Sequence, residues 1–381
     1  MRFPNKLQQK LKKRTEQDAL RTLSLQTNLI DLSSNDYLGF ANTEVIFEKT
    51  HLFLTNNNLK INGATGSRLL SGNHNLYPLV EKQLNQAHIS EASLIFNSGY
   101  DANLGFFSSI PQRGDIILYD EFIHASIRDG IQLSNAKAYK FKHNDIVDLE
   151  KLIIRYSKTT STVEHTIYVV TESVFSMDGD TPDLKTMTTI CNKHSAYFIV
   201  DEAHALGVFE HGLVQKLHLE KSVFARIITF GKGLGCHGAA ILGSQSLINY
   251  LINFARSFIY TTGLSPHALA TIKIGYDYLS SLEGKILQKK LKENIKFFKS
   301  ESQRLNLTFI ESDAAIQCCI IAGNEKVKKI ATQLQNENYN VKPILSPTVP
   351  TNQERLRFCL HSYNSREEIT NVLEQLATFV L

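Results

Sequence analysis

Two short apolar runs each end in residues able to do chemistry: Tyr197-Phe-Ile-Val200 leads into Asp201-Glu-Ala-His204, and Arg226-Ile-Ile-Thr-Phe230 leads into Gly231-Lys232-Gly-Leu-Gly235. Each motif alone suggests a different reaction. Asp-Glu-Ala-His spells the magnesium box of nucleic-acid-dependent ATPases, but such an enzyme needs an upstream Gly-x-x-x-x-Gly-Lys-Ser/Thr loop to hold the phosphates. No such loop is present; Gly231-Lys232 lies downstream, and Gly233 stands where the hydroxyl belongs. Gly233-Leu-Gly-Cys-His-Gly238 satisfies the dinucleotide fingerprint, yet Ala239-Ala-Ile-Leu242 after it reads as a strand, and no acid follows until Asp277. Taken together, the two segments place an acid and a lysine at neighbouring strand ends, facing one ligand at the carboxyl edge of a sheet. Pyridoxal phosphate asks for that pair: lysine forms its Schiff base, and a carboxylate keeps the pyridine nitrogen protonated so that the ring accepts electrons. A DEAH-type ATPase stays as the alternative of another class, decided by nucleic-acid-stimulated ATP hydrolysis.

A sheet has to carry these residues. From about residue 90 to 245, runs rich in Ile, Val, Phe and Tyr alternate with helical patterns, which predicts an α/β domain with a mostly parallel sheet covered by helices. Strands are expected at 92–96, 115–119, 166–171, 196–200, 226–230 and 239–242, and helices at 147–156 and 183–194, with Leu76, Leu79, Val80 and Leu84 marking an earlier helix. After Ser265 the pattern is helical through Arg304. A smaller α+β unit then follows, with strands near 315–321 and 355–360 and helices near 324–336 and 365–380. Leu7, Leu11, Leu20 and Leu23 make the first 25 residues an amphipathic arm. The expected organisation is an N-terminal segment 1–45, a large cofactor-binding domain 46–282 and a small C-terminal domain 283–381.

The chain has 381 residues, 43% hydrophobic and 20% charged, which excludes a disordered protein or a small stapled scaffold. Lys and Arg number 41 against 37 Asp and Glu, too even a balance to predict a nucleic-acid partner. Five cysteines without a Cys-x-x-Cys pair, and a start lacking the apolar core of a signal peptide, suit a reducing cytoplasm. No apolar run is long enough to span a membrane, and no metal is expected.

Ordered segments along almost the whole chain carry a family resemblance. They are Ser33-Ser-Asn-Asp-Tyr-Leu-Gly39, Gly66-Ser-Arg-Leu-Leu-Ser-Gly-Asn73, Ser173-Val-Phe-Ser-Met-Asp-Gly-Asp180, the two motifs above, Phe254-Ala-Arg-Ser-Phe-Ile-Tyr-Thr-Thr262, Ser346-Pro-Thr-Val-Pro350 and Arg355-Leu-Arg357. The chain resembles the fold-type I pyridoxal-phosphate transferases and, within them, the α-oxoamine synthases. The resemblance implies that Lys232 holds the cofactor and removes the Cα proton, that Asp201 pairs with the pyridinium nitrogen, and that His204 and Ser176 bind the phenolic oxygen. His124 is implied to stack on the ring and meet the substrate. The turn at Gly99 and Tyr100, with Thr229, is implied to take the phosphate. A glycine and free N–H groups at a helix start suit a dianion there, although a plain helix cap is the ordinary use of such a turn. A lone histidine among 13 is ordinarily a satisfied polar residue, so His124 and His204 stand out only by their motifs.

For substrates, the resemblance implies that Arg357 clamps the amino-acid carboxylate with Asn35 assisting, that Thr348 meets substrate, and that Arg21 meets the far carboxylate of a pimeloyl chain. The implied reaction condenses L-alanine with a pimeloyl thioester, on coenzyme A or an acyl carrier protein, to 8-amino-7-oxononanoate, carbon dioxide and free thiol, in biotin biosynthesis. Family members that act as glycine C-acetyltransferase or serine palmitoyltransferase share the catalytic set. The Thr261-Thr262 segment implies a homodimer with shared active sites. Three stretches depart from the family pattern: Cys236-His237 beside the lysine, a short 21–30 segment, and Asn352-Gln353-Glu354 before Arg355.

Overall fold

The computed structural model describes residues 3–17, 19–21, 23, 28–157 and 165–380, so the end of the expected arm at 24–25 lies outside the described residues. Numbered along the chain, the strands are β1 (Ile30–Asp31), β2 (Ala92–Phe96), β3 (Ile116–Asp120), β4 (Lys137–Phe141), β5 (Ile167–Glu172), β6 (Tyr197–Asp201), β7 (Ala225–Thr229), β8 (Ala239–Gly243), β9 (Ile316–Ile320), β10 (Tyr339–Asn340), β11 (Lys342–Ile344) and β12 (Arg355–Cys359). The helices are α1 (Asn5–Glu16), α2 (Glu44–Asn56), α3 (Leu76–His88), α4 (Gly99–Ser109), α5 (Ala125–Leu133), α6 (Ile146–Ser157), α7 (Leu184–Lys193), α8 (Leu213–Lys216), α9 (Gln245–Phe254), α10 (Arg256–Ile259), α11 (Pro266–Ser280), α12 (Leu282–Arg304), α13 (Asn324–Asn336) and α14 (Arg366–Val380). They fall into two compact units.

The larger unit comprises Asn35–Ser176 and Thr181–Lys289. Its seven-stranded sheet runs β2-β8-β7-β6-β5-β3-β4, parallel from β7 to β4 and antiparallel on either side of β8. Strands β2, β5 and β7 are buried at every position, which is why they read as unbroken apolar runs. β4 is the strand that the hydrophobic pattern does not announce. It sits at the sheet edge with Lys137 and Lys140 exposed, and charged side chains there interrupt the apolar run while blocking further strand pairing. The helical stretch after Ser265 divides at Ser281, whose extended backbone ends α11 before α12 begins. α4 and α9 pack against the sheet and α5 against α4. Phe106, Phe107, Ile127 and Leu251 are completely buried there, each contributing about 1.5–3 kcal/mol.

A second, polar core ties the strand ends together. Arg226 on β7 donates from Nε to Glu202 Oε2 at 2.7 Å, from Nη1 to His88 O at 3.0 Å and from Nη2 to His211 O at 2.8 Å. Glu202 Oε1 accepts the Val214 backbone N–H at 2.9 Å, and Gly212, at φ +112°, leaves no room for a Cβ, which would lie 2.6 Å from that oxygen. The second residue of Asp-Glu-Ala-His is therefore a structural anchor. His88 Nε2 meets Tyr276 OH at 2.7 Å, and complete burial, with the Arg226 charge beside it, holds this imidazole well below the usual histidine range. The unfolded chain takes up a proton at His88 below about pH 6.5 and the folded one does not, so stability is full above that pH and is lost as pH falls. Urea titrations of the cofactor-free protein are expected to lose about 1.4 kcal/mol per pH unit from this group just below pH 6. A flat profile there would remove the effect.

The smaller unit comprises Met1–Ser34, Met177–Asp180 and Lys290–Leu381. Its antiparallel sheet runs β11-β12-β9, and β1 pairs in parallel with β10. Val327, Ile330 and Leu334 on α13 and Ile369, Val372, Leu373 and Leu376 on α14 bury faces at helical spacing. The adjacent Cys318 and Cys319 of β9 are both buried. α1 has the amphipathic pattern of an arm but buries none of its residues.

Candidate active site

Within the larger unit, the parallel strands β3, β5, β6 and β7 end at Asp120, Glu172, Asp201 and Thr229, along the carboxyl edge where ligands bind in open α/β sheets. Lys232 follows β7 by one tight turn. Gly235 closes that turn at φ +59°, and a Cβ on it would lie 2.2 Å from the Ala41 backbone nitrogen. The glycine spacing thus serves close passage of the chain, and β8 takes the place of the helix that a dinucleotide turn would open.

Lys232 Nζ lies 2.7 Å from His204 Nε2, His204 Nδ1 lies 2.7 Å from Tyr37 OH, and that hydroxyl donates to Asn35 Oδ1 at 3.1 Å. A tyrosine hydroxyl has one proton to give. With that proton on Asn35, His204 Nδ1–H donates to the Tyr37 oxygen, and Nε2 presents its lone pair to the lysine amine. Asp201, 4% exposed, accepts from Asn103 Nδ2 at 2.8 Å and from the Ala203 backbone N–H at 2.9 Å. Asn103 also donates to Ser126 Oγ at 3.0 Å, and that hydroxyl lies 2.7 Å from His124 Nδ1. His124 caps α5, its Nδ1 accepting the Ser126 N–H at 3.2 Å, which leaves the ring proton on Nε2. Burial lowers the His124 pKa, with the Asp201 charge opposing and the Lys232 charge assisting, so the ring is neutral near pH 7.

The phosphate candidate is the start of α4. Ser98 caps it by accepting the Asp101 N–H at 3.0 Å, Gly99 opens it, and Thr229 stands against Gly99. An eleven-residue helix directs unsatisfied N–H groups and a positive dipole end to that point. Tyr100 is half-exposed, with its hydroxyl on Asp129. Asn97 Nδ2 donates to Thr261 Oγ1 at 3.0 Å and to Thr262 O at 2.6 Å, placing that segment beside the same turn.

Gly99, Tyr100, His124, Asp201, Thr229 and Lys232 all line one cavity of about 160 Å³. Two larger grooves, of about 560 and 580 Å³, have no carboxylate on their walls. Of the other expected site residues, His204 joins the cavity through Lys232 and Asn35 through Tyr37, whereas Ser176 is half-buried past the end of β5 and does not line it. Arg357 on β12, Thr348 in an exposed loop and the exposed Arg21 belong to the smaller unit. Sequence reasoning passed over Tyr37, Asn103, Ser126 and Glu172 as functional residues. Tyr37 lies inside a quoted motif and Glu172 directly precedes another, but nothing in their spacing shows what they touch. The donor set fits pyridoxal phosphate: an amine, an adjacent carboxylate with its lone pairs oriented, two imidazoles, and a helix start for a dianion.

The chain belongs to the aminotransferase class I and II family, whose model matches residues 27–376. Within that family it is a pyridoxal-phosphate-dependent α-oxoamine synthase, similar to 8-amino-7-oxononanoate synthases. It is 37% identical to 8-amino-7-oxononanoate synthase of Emericella nidulans over 98% of this chain and 95% of that one. The crystal structure of 8-amino-7-oxononanoate synthase from Francisella tularensis superposes with a TM-score of 0.77 at 26% identity, covering 93% of this chain and 98% of that one. Serine palmitoyltransferase from S. paucimobilis with bound PLP superposes with a TM-score of 0.88 over 98% and 96% of the two chains; at 24% identity it shows the shared fold. Among the described residues, no helix is long and apolar enough to cross a membrane.

Proposed function

We propose that the protein joins the Cα of L-alanine to the carbonyl carbon of a pimeloyl thioester, expelling the thiol and losing carbon dioxide to leave 8-amino-7-oxononanoate. The observation that carries this reading is the Lys232 amine held 2.7 Å from His204 Nε2 in a site walled by Asp201 and His124. Bound there, pyridoxal phosphate supplies an electron sink for the negative charge that forms at Cα. Lys232 Nζ takes the Cα proton, and the lone pair of His204 Nε2, 2.7 Å away, accepts one of its N–H groups and so orients the amine. His124 directs Nε2–H to the thioester carbonyl oxygen as charge develops on it. His204, which reaches the cavity through Lys232, is the residue we place at the cofactor's phenolic oxygen, whereas Ser176 lies off the cavity wall. Arg357 clamps the amino-acid carboxylate with a fork that lysine does not reproduce, and Thr348 meets the substrate.

Asp201→Asn is expected to lower kcat for thiol release about 10²–10³-fold, the loss typical when one preorganised electrostatic group is removed. An unchanged kcat would remove Asp201 from the ring nitrogen. The acyl group arrives on coenzyme A or an acyl carrier protein, in the cytoplasm, and the Thr261-Thr262 segment completes the site of a second copy in a homodimer. Thiol release with L-alanine, glycine and L-serine, each against pimeloyl, acetyl, succinyl and palmitoyl thioesters, tests the substrate pair. Alanine with pimeloyl thioester is expected to be fastest. Serine with palmitoyl thioester is the second reading, favoured by 27% identity to the serine palmitoyltransferase of Sphingomonas wittichii over 92% of this chain. Arg21→Ala is expected to weaken use of pimeloyl thioester at least about tenfold more than use of a neutral acyl thioester, as loss of one charged hydrogen bond would. Equal losses would free Arg21 of that role.

A further inference from the structure

We infer that Arg68 is a positioning residue of the phosphate turn: with Glu81 it fixes the end of β2 from which that turn leaves, and with Tyr77 it fixes the 263–264 segment beside it. Arg68 and Glu81 are 10% and 17% exposed at the side chain. They form a two-pronged pair, Nη1 donating to Oε1 at 2.7 Å and Nη2 to Oε2 at 3.2 Å. A planar guanidinium makes such a fork and an ammonium does not. Both partners also hold Ile95 of β2: Arg68 Nη1 donates to its carbonyl oxygen at 3.3 Å, and Glu81 Oε1 accepts its N–H at 3.1 Å. The turn of Asn97, Ser98 and Gly99 begins two positions later.

The other side of the turn is tied to the same guanidinium. Asn97 Nδ2 donates to Thr261 and Thr262, and the chain just beyond them is bound back: Gly263 N–H donates to Gly66 O at 2.9 Å and Leu264 N–H to Tyr77 OH at 2.6 Å. The Arg68 guanidinium carbon lies over the Tyr77 ring, 3.7 Å from its centre, and 5.3 Å from that of Phe258. Arg68 Nε also donates to Asn73 Oδ1 at 3.0 Å, closing its own loop, in which Gly72 has no room for a Cβ against Gly66 O. Arg68 thus joins the strand and the segment that hold Asn97 from either side, while it does not itself line the site cavity. A dianion held by backbone N–H groups depends on where those groups point, because hydrogen bonds weaken steeply with misalignment. Loss of the fork therefore acts on the phosphate and leaves the wall around Asp201 and Lys232 in place.

The inference rests on the start of α4 taking the cofactor's phosphate, and a comparison of pyridoxal phosphate with phosphate-free pyridoxal separates the two. Equilibrium dialysis of each against the cofactor-free protein measures what the phosphate adds to binding. Arg68→Met is expected to weaken pyridoxal phosphate at least about tenfold more than pyridoxal, as loss of one aligned hydrogen bond to a charged group would. Adding Glu81→Leu removes the carboxylate that the single variant leaves unpaired, so the urea midpoint of the double variant is expected to recover toward the native one while the tenfold excess stays. Where Arg68→Met fails to fold, Arg68→Lys, which keeps the charge and loses the fork, takes its place with the same expected excess. Equal losses for the two ligands overturn the inference, as does native affinity for both, and so does an excess that disappears when the double variant regains its stability. A native protein that binds pyridoxal phosphate no more tightly than pyridoxal would overturn the phosphate site at α4, and the role of Arg68 with it.

Discussion

Replacing Lys232 with alanine is expected to reduce thiol release by at least about 10³-fold, since the variant loses the base for the Cα proton, and positioned bases contribute about 10²–10⁴ on their own. It also loses the amine that fixes the cofactor. Borohydride reduction followed by denaturation is expected to leave the cofactor on the native chain and to release it from the variant. Lys232→Arg should restore neither property, because a guanidinium does not give up its proton. The fold should be intact in both variants, as the lysine lies on a cavity wall and its hydrogen-bond partner His204 keeps Tyr37. A borohydride-fixed cofactor in Lys232→Ala would assign the anchoring amine elsewhere.

The largest expected effect on stability lies behind the site. Arg226 and Glu202 are 3% and 0% exposed at the side chain, and the guanidinium also satisfies two backbone carbonyls, His88 O and His211 O. Arg226→Met should destabilise the cofactor-free protein by about 3–5 kcal/mol, chiefly because the Glu202 carboxylate is left buried without its counter-ion. The double variant with Glu202→Leu should be less destabilised than the sum of the single losses, since it removes the orphaned charge. Urea midpoints of the two single variants and the double variant measure this. Strict additivity would show that the two side chains act independently.

The parts of the chain that were legible from residues alone share a physical cause. Strands buried on both faces have to be continuous apolar runs, so β2, β3, β5, β6, β7 and β8 stand out along the chain to within a residue or two of their ends. A strand that ends in an acid and a neighbour that runs into a lysine announce the cofactor chemistry, because few ligands need both groups at one sheet edge. β4 was not legible: an edge strand reaches water, and its lysines hide its pattern. The break between α11 and α12 at Ser281 was hidden too, since the apolar spacing continues on either side of it.

The amino-acid sequence by itself determined the alternation of strands and helices, the lysine and aspartate, and the family resemblance, all of which are written in local order. Only the tertiary structure decided how these groups act. The proton on His204 depends on Tyr37, 167 positions away, and the hold on Asp201 depends on Asn103, 98 positions away. Whether Glu202 or Glu172 serves packing or the site depends on β6 lying between β7 and β5. Hydrogen bonds and buried charges act over a few ångströms of space, and the distance along a chain between two groups says nothing of that separation until the sheet order brings them together.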